Sequence, residues 1–211
     1  MAITSSQPRR KLSATAEDAI RHRIITESRR HFFAHGFRSV TMDDLARELA
    51  MSKKTLYACF PSKTALLEAV IHDKFRSIDA DLGRITSEAS ADCLDALHRL
   101  LSCVQGHMEE IHPSFVRDIR REAPDLFTVV ESRRRDVIQR HFGKVFFEGR
   151  RAGLIRRDIP PKLAIEILLG AVHAVMNPPK MEELGLTPKS GFSAIIRVVL
   201  EGLTTEKARS R

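Results

Sequence analysis

The chain has 211 residues, 43% of them hydrophobic, with 35 Lys+Arg against 27 Asp+Glu and a formal net charge of +8. That apolar fraction excludes a disordered chain, no apolar run approaches the roughly 18 residues a transmembrane helix needs, and the N-terminus lacks the apolar stretch of a secretory signal. Cys59, Cys93 and Cys103 form no CxxC pair, which argues against a disulfide framework or a structural zinc site and points to a reducing cytoplasm. The charge is uneven: residues 1–63 hold 12 Lys+Arg and 6 Asp+Glu, whereas residues 64–211 hold 23 and 21. The excess therefore belongs to an N-terminal module suited to an anionic partner.

Residues 1–17, polar and carrying Pro8 and Arg9-Arg10-Lys11, read as a flexible basic arm. A first helix runs from about Thr15 to His35, with Ile20, Ile24, Ile25, Phe32 and Phe33 on an apolar stripe, Arg21, Arg23, Arg29 and Arg30 opposite, and Gly36 as its stop. Thr41 and Asp44 then make a capping box ahead of Met42, Leu45, Ala46 and Leu49. Ser52 is the cap of a third short helix that sends Leu56 and Phe60 inward, and Pro61-Ser62 ends it. Two short helices about three residues apart, behind a longer one, have the spacing of a helix-turn-helix.

From about Lys63 to Thr86 the period stays helical, and it continues over 90–111, 114–121, 125–151, 162–177 and 189–204, with a loop expected between Pro178-Pro179 and Pro188. The expected fold is all-α, about nine helices.

Charge placement sharpens the functional reading. A helix N-terminus is partially positive, so lysine in the first turn is unfavourable by about 0.3 to 1 kcal/mol. Lys53 and Lys54 nevertheless follow the Ser52 cap, and Lys63 follows Ser62. A nucleic-acid phosphate backbone would use the same N–H groups and give the lysines a partner; exposed lysines tolerated at small cost are the plainer alternative. On the third helix Lys53, Lys54, Thr55, Tyr57 and Ala58 fall on faces not used by Leu56 and Phe60. Lysine can donate to guanine O6 and N7, Thr55 offers hydroxyl or methyl contacts, and Tyr57 can give a phosphate a hydroxyl donor.

The ordered run Phe32-Phe33-Ala34-His35-Gly36-Phe37, Val40-Thr41, Leu45-Ala46, Met51-Ser52-Lys53-Lys54-Thr55-Leu56-Tyr57, Phe60-Pro61-Ser62-Lys63 and Leu66-Leu67 resembles the DNA-binding domain of the TetR family of bacterial transcriptional regulators. The resemblance covers about residues 18–80, with the motif at about 41–61. It implies that Thr41, Tyr57 and Lys63 contact phosphates and that Ser52 to Thr55 enter the major groove of double-stranded operator DNA. One departure is Ala50, where the family usually has Gly; a turn of positive φ there would be strained.

For residues 81–211 the resemblance implies a helical effector-binding and dimerisation domain. Residues 162–177 and the last helix are apolar on more than one face. Ile165, Leu168, Leu169, Val172, Ile195, Val198 and Val199 are therefore candidates for a homodimer interface, an internal core being the alternative. Leu101, Met108, Phe115, Phe127, Phe142 and Phe146 are candidates for the pocket of an unidentified small-molecule effector, although the same spacing suits plain core.

The Arg clusters at 133–135, 150–151 and 156–157 lie beside acidic residues and read as solvated faces. His107 and His112 raise a metal-sensing alternative, but five residues spanning Pro113 suit one helix face poorly; the ten-residue spacing of Cys93 and Cys103 lends little support to metal or redox sensing. No metal, cofactor or membrane partner is expected. An enzyme is disfavoured, because the chain has no nucleophile elbow, HExxH, P-loop or dinucleotide glycine pattern. The expected function is a sequence-specific regulator of transcription, a repressor released from a palindromic operator by a small molecule; a non-specific architectural DNA binder is the closer rival.

Overall fold

A computed structural model describes residues 14–88 and 93–205. Among these there are ten α-helices and no β-strand: α1 (Ala14–His35), α2 (Met42–Glu48), α3 (Lys53–Cys59), α4 (Lys63–Glu88), α5 (Cys93–Glu109), α6 (Pro113–Glu122), α7 (Pro124–Arg151), α8 (Pro161–Val175), α9 (Pro178–Glu183) and α10 (Pro188–Leu203). The expected basic arm lies largely outside the described residues, and Ala14–Glu17, assigned to it, form the first turn of α1.

The tenth helix is α9, where a loop was expected. Pro-Pro reads as a breaker, yet proline is well suited to the first turn of a helix, where its missing N–H has no intrahelical partner to lose. Asn177 supplies the start by accepting the Lys180 N–H at 3.1 Å.

The buried side chains form two clusters. The first joins Ile24, Phe32 and Phe33 of α1 to Leu45 and Ala46 of α2, Leu56 of α3 and Leu66, Leu67 and Val70 of α4. It also takes Phe115 and Ile119 from α6, and the rings of Phe33 and Phe115 meet edge-on with centroids 4.8 Å apart. The second holds Leu82 of α4, Leu97 and Leu100 of α5, Phe142, Val145 and Phe146 of α7, Ile165 and Leu168 of α8, and Phe192 and Ile195 of α10. Helix α4 is continuous through both, so the two halves share one rigid rod.

This division corrects two expectations. The six candidate pocket residues do not share one space: Leu101, Phe142 and Phe146 are buried in the second cluster with Met108 packed against it, whereas Phe115 is buried in the first cluster and Phe127 packs against that one. Helical spacing identified an inward face but not which core it faces. The second correction concerns the candidate interface. Ile165, Leu168, Leu169, Val172 and Ile195 are buried inside the chain itself, because α8 and α10 pack on each other and on α7 and α5. Val199 is half-buried against the same core. The apolar side chains that α8 and α10 present to solvent are Leu163 and Ile167, each 51% exposed, and Val198, 72% exposed.

Candidate nucleic-acid interface

The α2–α3 unit is held by short-range hydrogen bonds written in its sequence. Thr41 Oγ1 accepts the Asp44 N–H at 3.1 Å, while Asp44 Oδ2 accepts the Thr41 N–H at 3.2 Å and its hydroxyl at 2.6 Å. Those hydroxyl and amide bonds hold the Asp44 carboxyl below its ordinary range, so the capping box stays ionised. Ser52 Oγ accepts the Thr55 N–H at 3.1 Å and lies 2.8 Å from Thr55 Oγ1. Ser62 Oγ accepts the Ala65 N–H at 3.0 Å at the start of α4. Between α2 and α3 the chain turns through Ala50, whose φ of +49° is the only positive value outside glycine among the described residues. The turn expected to need glycine is therefore made by alanine in the left-handed region.

Two arginines of α1 lock this unit from behind. Arg23 donates to the Leu49 carbonyl, the C-cap of α2, at 2.9 Å. Arg21 donates to the Cys59 carbonyl in the last turn of α3 at 2.6 Å and lies 4.4 Å from the centre of the Phe60 ring. Each guanidinium complements the partial negative charge at a helix C-terminus. In the sequence these residues read only as the polar face of α1, and local spacing offers no other signal, since Glu17 and Asp18 stand one turn before Arg21 and Glu27 one turn after Arg23.

The candidate DNA-contacting residues divide by what already holds them. Thr41 is exposed, but its hydroxyl donates to Asp44. Ser52 and Thr55 are exposed and share one hydroxyl hydrogen bond, which leaves one hydroxyl proton of the pair free for an outside acceptor. Lys53 is paired with Asp43 of α2 at 2.6 Å. Lys63 is partly buried over the Phe37 ring at 4.3 Å and donates to the Arg38 carbonyl at 3.4 Å; desolvation lowers the pKa of its ammonium. Two of the three lysines at helix starts thus have partners within the fold, contrary to the expectation that all three require an outside anion. Lys54 and Tyr57, three residues apart on α3, are exposed and have no hydrogen-bond or ion-pair partner among the described residues. With Ala58 they form the solvent face of α3, opposite the fully buried Leu56.

The unit is also tied to the rest of the chain. Asp118 of α6 is buried and accepts the Arg38 N–H at 2.9 Å, and the Phe33 carbonyl accepts the His112 N–H at 2.9 Å. Gly36, at φ +88°, lies so close that an added Cβ would stand 2.7 Å from Asp118 Oδ2. His112 caps α6 by accepting the Ser114 N–H, while His107 turns instead towards α4. The two histidines weighed as a pair are therefore not together.

A three-helix N-terminal unit whose second and third helices are capped, clamped and joined by a tight turn defines a helix-turn-helix protein with an all-helical C-terminal half. Residues 24–70 match the family model described as bacterial regulatory proteins, tetR family. That match spans most of α1, all of α2 and α3 and the start of α4, and it supports membership of that family. The chain is 26% identical over 191 residues, 88% of this chain and 96% of the relative, to the HTH-type transcriptional regulator YvaF of Bacillus subtilis. Among solved structures it is similar to a TetR-family regulator from Agrobacterium tumefaciens, with a TM-score of 0.70 at 17% identity over 90% of this chain and all of that one. It is also similar to SmeT, the repressor of the Stenotrophomonas maltophilia multidrug efflux pump SmeDEF, with a TM-score of 0.64 at 17% identity over 91% of this chain and 94% of that one; SmeT is also known in complex with triclosan.

Proposed function

We propose that the protein is a homodimeric, sequence-specific repressor that binds a palindromic operator and leaves it when a small molecule occupies the C-terminal half. The observation that carries this reading is the solvent face of α3, where Lys54 and Tyr57 have no partner inside the fold while every other element of the helix-turn-helix is fixed from behind. Lys54 is the side chain best suited to a guanine edge, and Tyr57, Thr41 and Lys63 flank it as candidate phosphate contacts, the last two by exchanging internal hydrogen bonds for external ones.

Dimerisation would use the face of α8 and α10 that carries Leu163, Ile167 and Val198, with exposed Gly170, Ala174 and Ala194 permitting close approach. Two recognition helices would then stand about 34–36 Å apart, one DNA turn. The effector would bind beside the second core; an open groove of about 400 Å³ between α5 and α10, bordered by Leu101, Phe192, Ile196 and Leu200 and by the polar His98, Gln105 and Arg197, is one space that would take it. Release of DNA requires only that the effector bind the non-binding conformation more tightly. The chain would act in the cytoplasm and without catalysis.

The test is selection of bound fragments from the source genome by the purified protein, followed by footprinting. A recovered palindrome with half-sites one helical turn apart is the expected result. Equal retention of all duplexes at fixed salt would overturn it in favour of an architectural DNA binder.

A further inference from the structure

Away from the nucleic-acid face, α4 and α5 bring together three side chains of different donor chemistry. Cys103 and His107 lie one turn apart on α5, and Asp81 faces them from α4; one ligand atom from each, thiol sulfur, imidazole nitrogen and carboxylate oxygen, all lie within 4.8 Å of one another. We propose that this trio binds a thiophilic divalent cation of the zinc and cobalt class.

A tetrahedral ion with bonds of about 2.0 to 2.3 Å separates neighbouring ligand atoms by roughly 3.3 to 3.8 Å. His107 Nε2 is 3.0 Å from Asp81 Oδ2, so that pair has only to open by a few tenths of an ångström, and Cys103 has to close by at most about one to one and a half. The other oxygen of Asp81 is held by Arg84 of the same helix, which fixes the carboxylate as a one-oxygen ligand aimed at His107. All three residues stand on long helices and are only partly exposed, so the frame is rigid while an entry path remains. A mixed sulfur, nitrogen and oxygen set disfavours magnesium and calcium, which select oxygen ligands. Three protein ligands leave the fourth position of a tetrahedral ion for water.

Metal binding would change the partners of the ring. His107 Nδ1 lies 3.0 Å from Lys74 Nζ, which can only donate to it. When Nε2 carries the ion, the imidazole proton sits on Nδ1, so Lys74 must turn from Nδ1 wholly onto Glu110, its partner at 2.5 Å, and Glu110 Oε1, now 4.0 Å from Nδ1, must close on it to orient the ring. Lys74 also lies 5.7 Å from the centre of the Phe33 ring of α1, so the cluster touches the core beneath the helix-turn-helix. The site does not depend on the regulatory reading, because its occupancy can be read without DNA.

The experiment titrates the full-length, metal-free protein with Co²⁺ and follows the thiolate-to-cobalt charge-transfer absorption. The expected result is a band that saturates at one ion per chain, is displaced by Zn²⁺, survives in the Cys59→Ser, Cys93→Ser double variant and is lost in Cys103→Ser and His107→Gln. In parallel, Zn²⁺ should protect Cys103 of the unmodified chain, but not Cys59, from alkylation followed by mass spectrometry, and Mg²⁺ should protect neither. This second measurement needs no variant and so is independent of whether the substituted chains fold. No band with the unmodified protein, a band retained in Cys103→Ser, or a Cys103 alkylation rate unchanged by Zn²⁺ would each overturn the proposal.

Discussion

Asp118 and Arg38, 80 positions apart in the chain, are joined by a 2.9 Å hydrogen bond from the Arg38 N–H to the buried Asp118 carboxylate. The bond pins the α1–α2 loop, three residues ahead of the Thr41 cap, to α6. Its removal leaves a backbone donor without its charged acceptor, an effect of about 1.5 to 3 kcal/mol. Asp118→Ala should lower urea stability by that amount, and the purified variant should lose operator affinity because the helix-turn-helix is no longer seated. Asp118→Asn, which keeps an acceptor oxygen, should retain most of the stability. Equal losses in the two variants would assign the effect to charge and not to the hydrogen bond.

At the α2–α3 turn, Ala50 occupies a conformation in which a Cβ costs about 1 to 2 kcal/mol. Glycine relieves that strain but adds roughly 0.4 to 1 kcal/mol of unfolded-state entropy. Ala50→Gly should therefore stabilise the chain by up to about 1.5 kcal/mol, read as a higher urea midpoint with an unchanged slope. A lower midpoint would mean that the turn is not strained.

Lys54 and Lys63 should behave differently on DNA. Lys54→Ala should relax discrimination at one base pair of the operator by about 1 to 3 kcal/mol, measured by competition among single-substituted duplexes. Lys63→Ala should weaken all duplexes alike and reduce the log–log salt slope by about 0.9. It should also lower stability, because Lys63 covers the Phe37 ring and donates to the Arg38 carbonyl. An unchanged salt slope with lowered stability would confine Lys63 to that local role.

Asp79 predicts a pH dependence. It receives His141 Nε2 at 2.9 Å and Arg140 at 2.7 Å, and these partners hold its carboxyl below the ordinary 3.8. Between 3.8 and the lower folded-state value the native chain binds fewer protons than the unfolded one. The stabilisation is thus present above pH 3.8 and is lost as the pH falls through the folded-state value. Asp79→Asn should flatten that part of the acid limb in urea unfolding followed from pH 5 downward; an unchanged limb would show that the ion pair does not persist in solution.

The elements legible in the sequence are those fixed by bonds spanning three or four residues. The Thr41–Asp44 box, the Ser52 and Ser62 caps and the inward direction of Leu56 all follow from local spacing, and the strained turn at Ala50 was legible as an exception to a family pattern. Arg21 and Arg23 were missed because their acceptors, Cys59 and Leu49, lie 38 and 26 positions away. The faces of α8 and α10 were misassigned for a related reason. An element apolar on several sides does not record which side its own core takes, and only packing against α7 and α5 decided that Ile165 and Ile195 turn inward while Ile167 and Val198 do not. Asp81, Cys103 and His107 were likewise invisible as a set, since Asp81 comes from another helix.

The contribution of α6 to the first core has a consequence for the order in which the chain can fold during synthesis. Phe33 finds its edge-on ring partner only at Phe115, 82 positions later, and the same core needs Ile119 and Ala123. At about 5 to 20 residues per second, a nascent helix-turn-helix waits roughly 4 to 16 s with one side of Phe33 uncovered before α6 is even made. An isolated 18–80 fragment would stay permanently in that state. The helix-turn-helix is translated first, but its core is closed only after α6 has been made.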